Sequence, residues 1–366
     1  TRDVMALQLL DYVKIMRQNG QEPIFTSEEI KQMVMHTITL DFEEVTDITP
    51  DVRLTFYNAG HILGSAMAHL HIGNGLHNML YSADMKFGKS VMLSPAATKF
   101  PRLETLLLES TYGGKANILP SPKEEYESLR EIISETIANK GKCLIPVLGS
   151  GRAQDIMIMI EELVRTKQLK EVDVYVDGIV WDITAIHTAY PEFLNANIRK
   201  QIFHKDNNPF LSTIFKRVAS GKERKELLEE GKPCVILATS GMLVGGPSVE
   251  YLKALADNPH NSLVFSSYQG PGSLGARIKD GEREIMFKNG QKTEITQIKM
   301  QIHKIEISDH SDRKELMNFV SRLSPRPKKI LINHGENSRA LDLASSLHKL
   351  YRIETSVPRN LDAIRL

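Results

Sequence analysis

Five short segments combine a metal-ligating or acid/base side chain with a glycine- or serine-rich turn. They run Asn58–Ala66 around His61, Tyr81–Met85 around Asp84, Leu106–Gly114 around Glu109, Ile307–Asp312 around His310, and Ile330–Glu336 around His334. His61 sits between Gly60 and Gly64, and glycines let the backbone pass close to a ligand while the imidazole offers a nitrogen to a metal. Asp84 ends a strand, where a carboxylate can ligate one metal or bridge two. Glu109 closes a strongly apolar strand, so a half-buried carboxyl there needs a partner or a raised pKa, and both suit acid/base work. His310 lies just before a helix that Ser311 or Asp312 can cap. His334 ends a buried-looking strand, with Gly335 making the turn. Each residue also has an ordinary structural role open to it: a turn histidine, a strand-end cap or a solvated loop glutamate.

A second group of turns suits phosphate. Gly149-Ser150-Gly151-Arg152, then Ser240-Gly241-Met242-Leu243 with Gly245-Gly246-Pro247-Ser248, and Gly270–Arg277 each follow a strand and open a helix. Backbone amides in such turns can cradle an anion. One such turn is a tight strand–helix connection. Three at the strand ends of one sheet predict a surface that tracks phosphates, with Arg152, Ser240, Gly241, Ser248 and Arg277 as its candidate phosphate-binding residues.

The elements that must position these residues are legible in the periodicity. Apolar spacing over Thr1–Gln18 predicts a helix, and Thr26 with Glu29 predicts a capped second one. Strands are expected at Arg53–Asn58, Met67–Ile72 and Leu76–Ser82, the last two joined through Gly73-Asn74-Gly75, and at Thr105–Glu109. His69 and His71 are expected to face outward from their strand. After Gly113-Gly114 the rhythm becomes strand–helix alternation: Ser121 caps a helix to about Lys140, followed by a strand at Lys142–Val147 and a helix at Arg152–Leu169. Val172–Val176 is a strand, Trp181–Tyr190 a short helix in which His187 is structural, and Leu211–Glu230 a charged helical stretch. Cys234–Ala238 and Leu263–Ser266 are strands around a helix at Val249–Asp257. Such alternation predicts a parallel, doubly wound sheet. Long alternating strands are expected over Glu294–Glu306, then a helix at Asp312–Leu323, a strand at Lys329–Ile332, a helix at Ser338–Leu350 and a strand at Ile353–Val357.

Composition bounds the rest. The chain has 366 residues, 46 basic and 45 acidic, for a net charge of +1. A protein that holds nucleic acid by bulk charge would be more basic, so any such site is local. No apolar run approaches ~18 residues, which argues against a membrane span. The two cysteines, Cys143 and Cys234, are too few for a disulfide framework and fit a reducing, cytoplasmic setting. The chain opens at Thr1 inside a helical pattern and reads as a piece of something longer.

Taken together and in order, the five segments resemble the metallo-β-lactamase-type RNA-processing nucleases with an inserted β-CASP domain. Within that family the nearest likeness is to the archaeal homologues of the cleavage and polyadenylation specificity factor endonuclease. The resemblance covers essentially the whole chain. It implies an α/β fold: a discontinuous αββα metallo-β-lactamase core over 1–112 and 301–366, its N-terminal portion missing, with a doubly wound β-CASP domain over 113–300. It implies that His61 ligates one zinc, that Asp84 bridges two, that His334 ligates the second, and that Glu109 and His310 are the carboxylate–histidine pair beside them. The expected activity is zinc-dependent cleavage of single-stranded RNA of the 3′-end-processing type, endonucleolytic and with trimming from a 5′ end as a second mode. The family also supplies ligands from an HxHxDH segment. No such string exists in these residues, so the fragment is expected to hold an incomplete site and to be inactive alone. Upstream KH-type modules and a homodimer built through the C-terminal segment are further implications. Two other readings stand beside this one: a non-catalytic RNA-binding or scaffold subunit, and a small-molecule metallo-hydrolase. The inserted domain and the Glu109/His310 pair argue against the latter.

Overall fold

The computed structural model describes residues 1–18, 20–289 and 292–366. The chain divides into two compact units. One comprises Thr1, Ile38–Leu119 and Ser308–Leu366; the other comprises Arg2–Thr37 and Pro120–Ile307. The two opening helices, α1 (Arg2–Gln18) and α2 (Ser27–Met35), group with the second unit. Thr26 and Glu29 form the expected capping box at α2.

The first unit then supplies β1 (Val45–Thr49), β2 (Val52–Asn58), β3 (Ala66–Ile72), β4 (His77–Tyr81) and β5 (Thr105–Glu109). The first four pair antiparallel, with β3 and β4 joined through a short helical turn over Gly73–Gly75, and β5 runs parallel to β4.

The second unit follows. Ser121 and Glu124 form a capping box for α3 (Pro122–Ala138), with proline in the first turn where its missing N–H costs nothing. Then come β6 (Lys142–Pro146), α4 (Arg152–Arg165), β7 (Val174–Asp177), α5 (Val180–Ala189), α6 (Ala196–Lys205), β8 (Phe215–Val218), α7 (Gly221–Glu229), β9 (Cys234–Ala238), α8 (Pro247–Leu255), β10 (Ser262–Phe265) and α9 (Leu274–Lys279). A hairpin of β11 (Glu284–Asn289) and β12 (Lys292–Gln297) precedes β13 (Gln301–Lys304). The main sheet has the order β13-β10-β6-β9-β7-β8 with every pairing parallel. This is the doubly wound sheet that strand–helix alternation predicts. β6, β9 and β10 are buried along their whole length, as central strands covered on both faces must be. α4 is buried almost all round, which makes it a core helix.

Two stretches depart from the reading of the sequence. Residues 211–230 are not helical throughout: β8 occupies Phe215–Val218 and α7 starts only after Ser220 caps it. β8 is an edge strand with Lys216 and Arg217 exposed between buried Phe215 and Val218, so its charges hid its period. The alternating run over Glu294–Glu306 is also not continuous. It divides between β12 in the hairpin and β13 in the parallel sheet.

The chain returns to the first unit with α10 (Arg313–Arg322), β14 (Lys329–Asn333), α11 (Asn337–Tyr351) and β15 (Glu354–Ser356). β14 runs parallel to both β5 and β15 and completes a seven-stranded sheet, β1-β2-β3-β4-β5-β14-β15. One face carries Tyr57, Met67, Leu80, Leu106, Leu108, Ile330 and Ile332, which form a buried core with Leu316, Phe319, Leu343 and Leu347 of α10 and α11. The other face carries Leu54, Leu70, Met79 and Leu107, none of them fully buried. That is one sheet and one helix layer of the expected αββα arrangement. Among the described residues no helix is long and apolar enough to cross a membrane. Cys143 and Cys234 are both buried and free.

His69 does not face outward. It is buried, stacked on Phe100 with centroids 6.1 Å apart, and its Nε2–H donates to the Arg102 carbonyl at 2.7 Å. His71 is half-buried on the same face, with Nδ1 2.6 Å from Asn78 Oδ1. Both faces of this sheet carry apolar residues, so the period of two fixes which residues share a face but not which face lies inside.

Candidate metal centre

Asp84, His61, His334, His310 and Glu109 come together at one end of the seven-stranded sheet. His61 is in the turn after β2, Asp84 just past β4, Glu109 at the last position of β5, His334 just past β14 and His310 in the loop before α10. Parallel pairing fixes part of this, because Asn333 lies directly opposite Glu109 in the β5–β14 register. Strand ends of this kind are where an α/β sheet gathers its functional groups.

Local chemistry holds each turn. Gly60 has φ +72°. A Cβ there would stand 2.5 Å from the Lys86 carbonyl oxygen, so only glycine lets the His61 turn lie against the Asp84 loop. A Cβ on Gly335 would meet Ser110 Oγ at 2.4 Å. Ser110 in turn donates its hydroxyl to the Asn333 carbonyl at 2.8 Å and its N–H to the His334 carbonyl at 3.1 Å. Ala83 and His334 themselves adopt left-handed φ values of +49° and +46°. Such conformations cost about 1–3 kcal/mol each and cluster at ligand sites.

The Asp84 carboxylate lies between two imidazoles. Its Oδ1 is 3.1 Å from His334 Nε2, and its Oδ2 is 3.9 Å from His61 Nε2. The other nitrogen of His61, Nδ1, donates to the Asp309 carbonyl at 2.9 Å, which fixes the ring orientation and turns Nε2 toward Asp84. One donor atom from each of His61, Asp84 and His310 also lies within 4.8 Å of the others, the one such cluster among the described residues. Imidazole nitrogens and a carboxylate that reaches two of them are a donor set suited to zinc. The chemistry of these residues therefore fits that metal.

Beside this set, His310 Nδ1 is 2.8 Å from Glu109 Oε1. Glu109 is only 1% exposed, and it also accepts the N–H of Met85 at 2.9 Å and of Thr111 at 3.2 Å. Burial pushes its carboxyl up, but the His310 bond and charge and the two N–H donors outweigh that and leave it below the usual carboxylate range. A raised pKa, one of the two outcomes expected for this glutamate, is therefore not what its surroundings produce. For His310, burial pulls the imidazole down, and the hydrogen bond and charge of Glu109 turn the balance upward. Each partner thus favours the charged form of the other. The hydrogen they share sits on Nδ1, since an ionised carboxylate only accepts.

Lys86 is a residue of this region that sequence reasoning passed over. It lies between apolar neighbours two positions after Asp84, is 7% exposed, and holds Glu315 and the His310 carbonyl. A lysine flanked by Met85 and Phe87 was its only signal.

The candidate phosphate turns lie in the second unit, at the C-terminal ends of the adjacent strands β10, β6 and β9. They touch one another: Gln269 Nε2 donates to the Gly241 carbonyl at 2.9 Å, and Arg152 donates to the Ser266 carbonyl at 2.5 Å. Arg152 is buried, and Ser248 is fully buried with its hydroxyl on the Ser240 carbonyl at 2.8 Å. Ser240 Oγ donates to the Gly245 carbonyl at 3.0 Å, and Gly241 is buried. Arg277 is exposed and paired with Glu282. Within this group Arg277 is exposed and Ser240 half-buried, while Arg152 and Ser248 brace the turns from within.

Comparison with known proteins places this architecture. Residues 153–278 match the Beta-Casp domain, and residues 296–358 match the Zn-dependent metallo-hydrolase RNA specificity domain. The chain belongs to the metallo-β-lactamase/β-CASP family. It is 52% identical over its whole length to the transcription termination factor FttA of Thermococcus kodakarensis, covering 57% of that protein. The protein of the same name from Methanothermobacter thermautotrophicus is also 52% identical, with 58% of its length covered, and that of Lokiarchaeum is 44% identical, again with 58% covered. The chain thus spans just over half the length of these relatives. A solved structure of a protein of unknown function from Enterococcus faecalis V583 shares the fold, with a TM-score of 0.53 at 11% identity, over 98% of this chain and 72% of that one.

Proposed function

We propose that this chain carries part of the catalytic centre of a zinc-dependent ribonuclease that hydrolyses single-stranded RNA, and that the full-length protein acts in transcription termination, as the names of its relatives state of them. The observation that carries this reading is the Asp84 carboxylate with a different histidine at each oxygen, beside the hydrogen-bonded His310–Glu109 pair. His61, Asp84 and His334 would hold the metal, Asp84 reaching two ions. Zinc, when bound, supplies Lewis acidity and activates a water for attack on phosphorus. The chain's own residues do the rest. The Asp309 carbonyl accepts from His61 Nδ1 and so aims Nε2 at the centre. Glu109 keeps His310 charged, so His310 can give a proton from its other ring nitrogen to the leaving sugar oxygen as the phosphorus–oxygen bond breaks. The water's own proton passes to solvent.

The HxHxDH ligands that the family uses are absent from these residues. The reading therefore assigns them to a part of the full-length protein outside this chain, expects two zincs in that protein, and expects the fragment alone to be inactive. Single-stranded RNA would run on the turns around Gly241 and Arg277, and the C-terminal segment would build a homodimer.

The test uses the full-length protein and end-labelled single-stranded RNA. The wild type should cleave in a zinc-dependent way. His310→Ala should lose cleavage by about 100-fold or more while keeping its zinc. Cleavage by His310→Ala at the wild-type rate would remove His310 from the mechanism. Tight RNA binding by a zinc-loaded wild type that never cleaves would make the protein a scaffold instead.

A further inference from the structure

The loop that carries His310 is fastened to the loop that carries Asp84, and one charged side chain crosses between them. Lys86 Nζ donates to the His310 carbonyl at 3.2 Å and to Glu315 Oε2 at 2.9 Å. Its side chain is 8% exposed and that of Glu315 is 24% exposed. Glu315 is itself committed: its carboxylate accepts the Asp312 N–H at 3.1 Å, and Asp312 Oδ1 accepts the Glu315 N–H at 2.8 Å, which together cap α10. A Cβ on Gly88 would fall 1.5 Å from Glu315 Oε1, so Gly88 is what lets Glu315 lie against this loop.

The backbone at Lys86 is equally fixed. Its N–H donates to the Ala59 carbonyl at 2.9 Å, and its own carbonyl accepts the Ala96 N–H at 2.8 Å. Its neighbours add two more ties, Ser311 N–H to the Met85 carbonyl at 2.8 Å and Phe87 N–H to Ser311 Oγ at 2.8 Å. The ammonium therefore extends from a rigid base to the one peptide oxygen that belongs to His310. A buried cation is held in place by its partners, and its removal leaves the Glu315 carboxylate without its countercharge and the His310 carbonyl without this donor.

We infer that Lys86 is a positioning residue for the proton donor: it sets the His310 imidazole relative to Asp84 by holding the His310 carbonyl against the helix cap. This rests on the reading of His310 given above. It differs from a stabilising role, because the ion pair with Glu315 can be replaced by neutral partners, whereas the bond to the His310 carbonyl cannot be replaced by a side chain without a long donor.

The experiment is a kinetic cycle in the full-length protein. Lys86→Met should lower kcat for RNA cleavage by about 10- to 100-fold, the range that a misplacement of about an ångström produces. KM should stay within about twofold and zinc content should be unchanged. In the His310→Ala background, Lys86→Met should lower kcat no further, since a residue acting through His310 has nothing left to act on. If Lys86→Met unfolds, Lys86→Met with Glu315→Gln removes both charges, keeps an acceptor for the Asp312 N–H, and should restore the melting temperature while kcat stays low. Full recovery of kcat in that double variant would make Lys86 a purely structural partner of Glu315 and overturn the inference. A normal kcat in a folded Lys86→Met would also overturn it. Loss of cleavage in His310→Ala separates the two questions: if that loss is absent, the reading of His310 fails whatever Lys86 does.

Discussion

Glu109 and His310 are 201 positions apart in the chain and share a 2.8 Å hydrogen bond at the foot of the β5–β14 pairing. Two backbone N–H groups hold the carboxylate on its other sides. The pairing is thus a product of tertiary packing between the end of β5 and the loop before α10, and not of the local sequence around either residue.

Removing that charge should separate catalysis from metal binding. Glu109→Gln keeps the shape and can still accept the Met85 N–H, but it no longer holds an imidazolium. We expect RNA cleavage by the full-length protein to fall by about 10²-fold or more with zinc content unchanged. Zinc lost in parallel with activity would show that Glu109 serves the metal and not the proton.

Asp84 should behave in the opposite way. Asp84→Ala removes the carboxylate that faces both His61 and His334. Zinc per chain of the full-length protein, read by mass spectrometry of the native protein, should drop below that of His310→Ala. Equal zinc in the two variants would deny Asp84 its assigned place.

The two glycines that admit the turns should be intolerant of a methyl group. Gly335→Ala must push Ser110 away, and Gly60→Ala must both clear the Lys86 carbonyl and keep φ at +72°. Each should lower stability by about 1–3 kcal/mol or more. Urea unfolding checks this, and a midpoint equal to wild type in either variant would count against the packing described.

Acid sensitivity should come from the second unit. His187 is fully buried in α5, with Nδ1 on the Ile183 carbonyl at 2.8 Å. Burial pushes its imidazole down to about 4, against the smaller opposing pull of that carbonyl. Unfolded, it titrates near 6.5. Between those values only the unfolded chain takes up the proton, so stability should fall by up to about 3 kcal/mol as pH drops from 6.5 to 4, and stay flat from this source above 6.5. His187→Leu should flatten that slope. A slope that survives the substitution would place the sensitivity elsewhere.

Most of the centre was legible because its residues end strands. Asp84, Glu109 and His334 each follow an apolar run that stops at a glycine or a small residue, and their mutual approach is what parallel pairing does to strand ends. The parallel sheet was legible for the same reason, since β6, β9 and β10 are unbroken apolar runs. What escaped was set by tertiary context. β8 is an edge strand that tolerates two adjacent charges, and α6 and β11 had no periodic run that announced them. His69 lies on a sheet with two apolar faces, where alternation is blind to inside and outside. Lys86 had only its apolar neighbours Met85 and Phe87 to mark it: its place is set by a carbonyl 224 residues away.

That separation along the chain also sets a timetable. His61 is tied to Asp309 across 248 positions, and the second unit's whole parallel sheet is encoded between β5 and β14. During synthesis the Asp84 carboxylate therefore emerges long before either His310 or His334. At about 5–20 residues per second, that interval lasts on the order of tens of seconds. Through it Asp84 and His61 wait without His310 or His334, so the arrangement around Asp84 closes only after β14 is complete, late in translation, and a chain stalled inside the inserted unit would be released with it open.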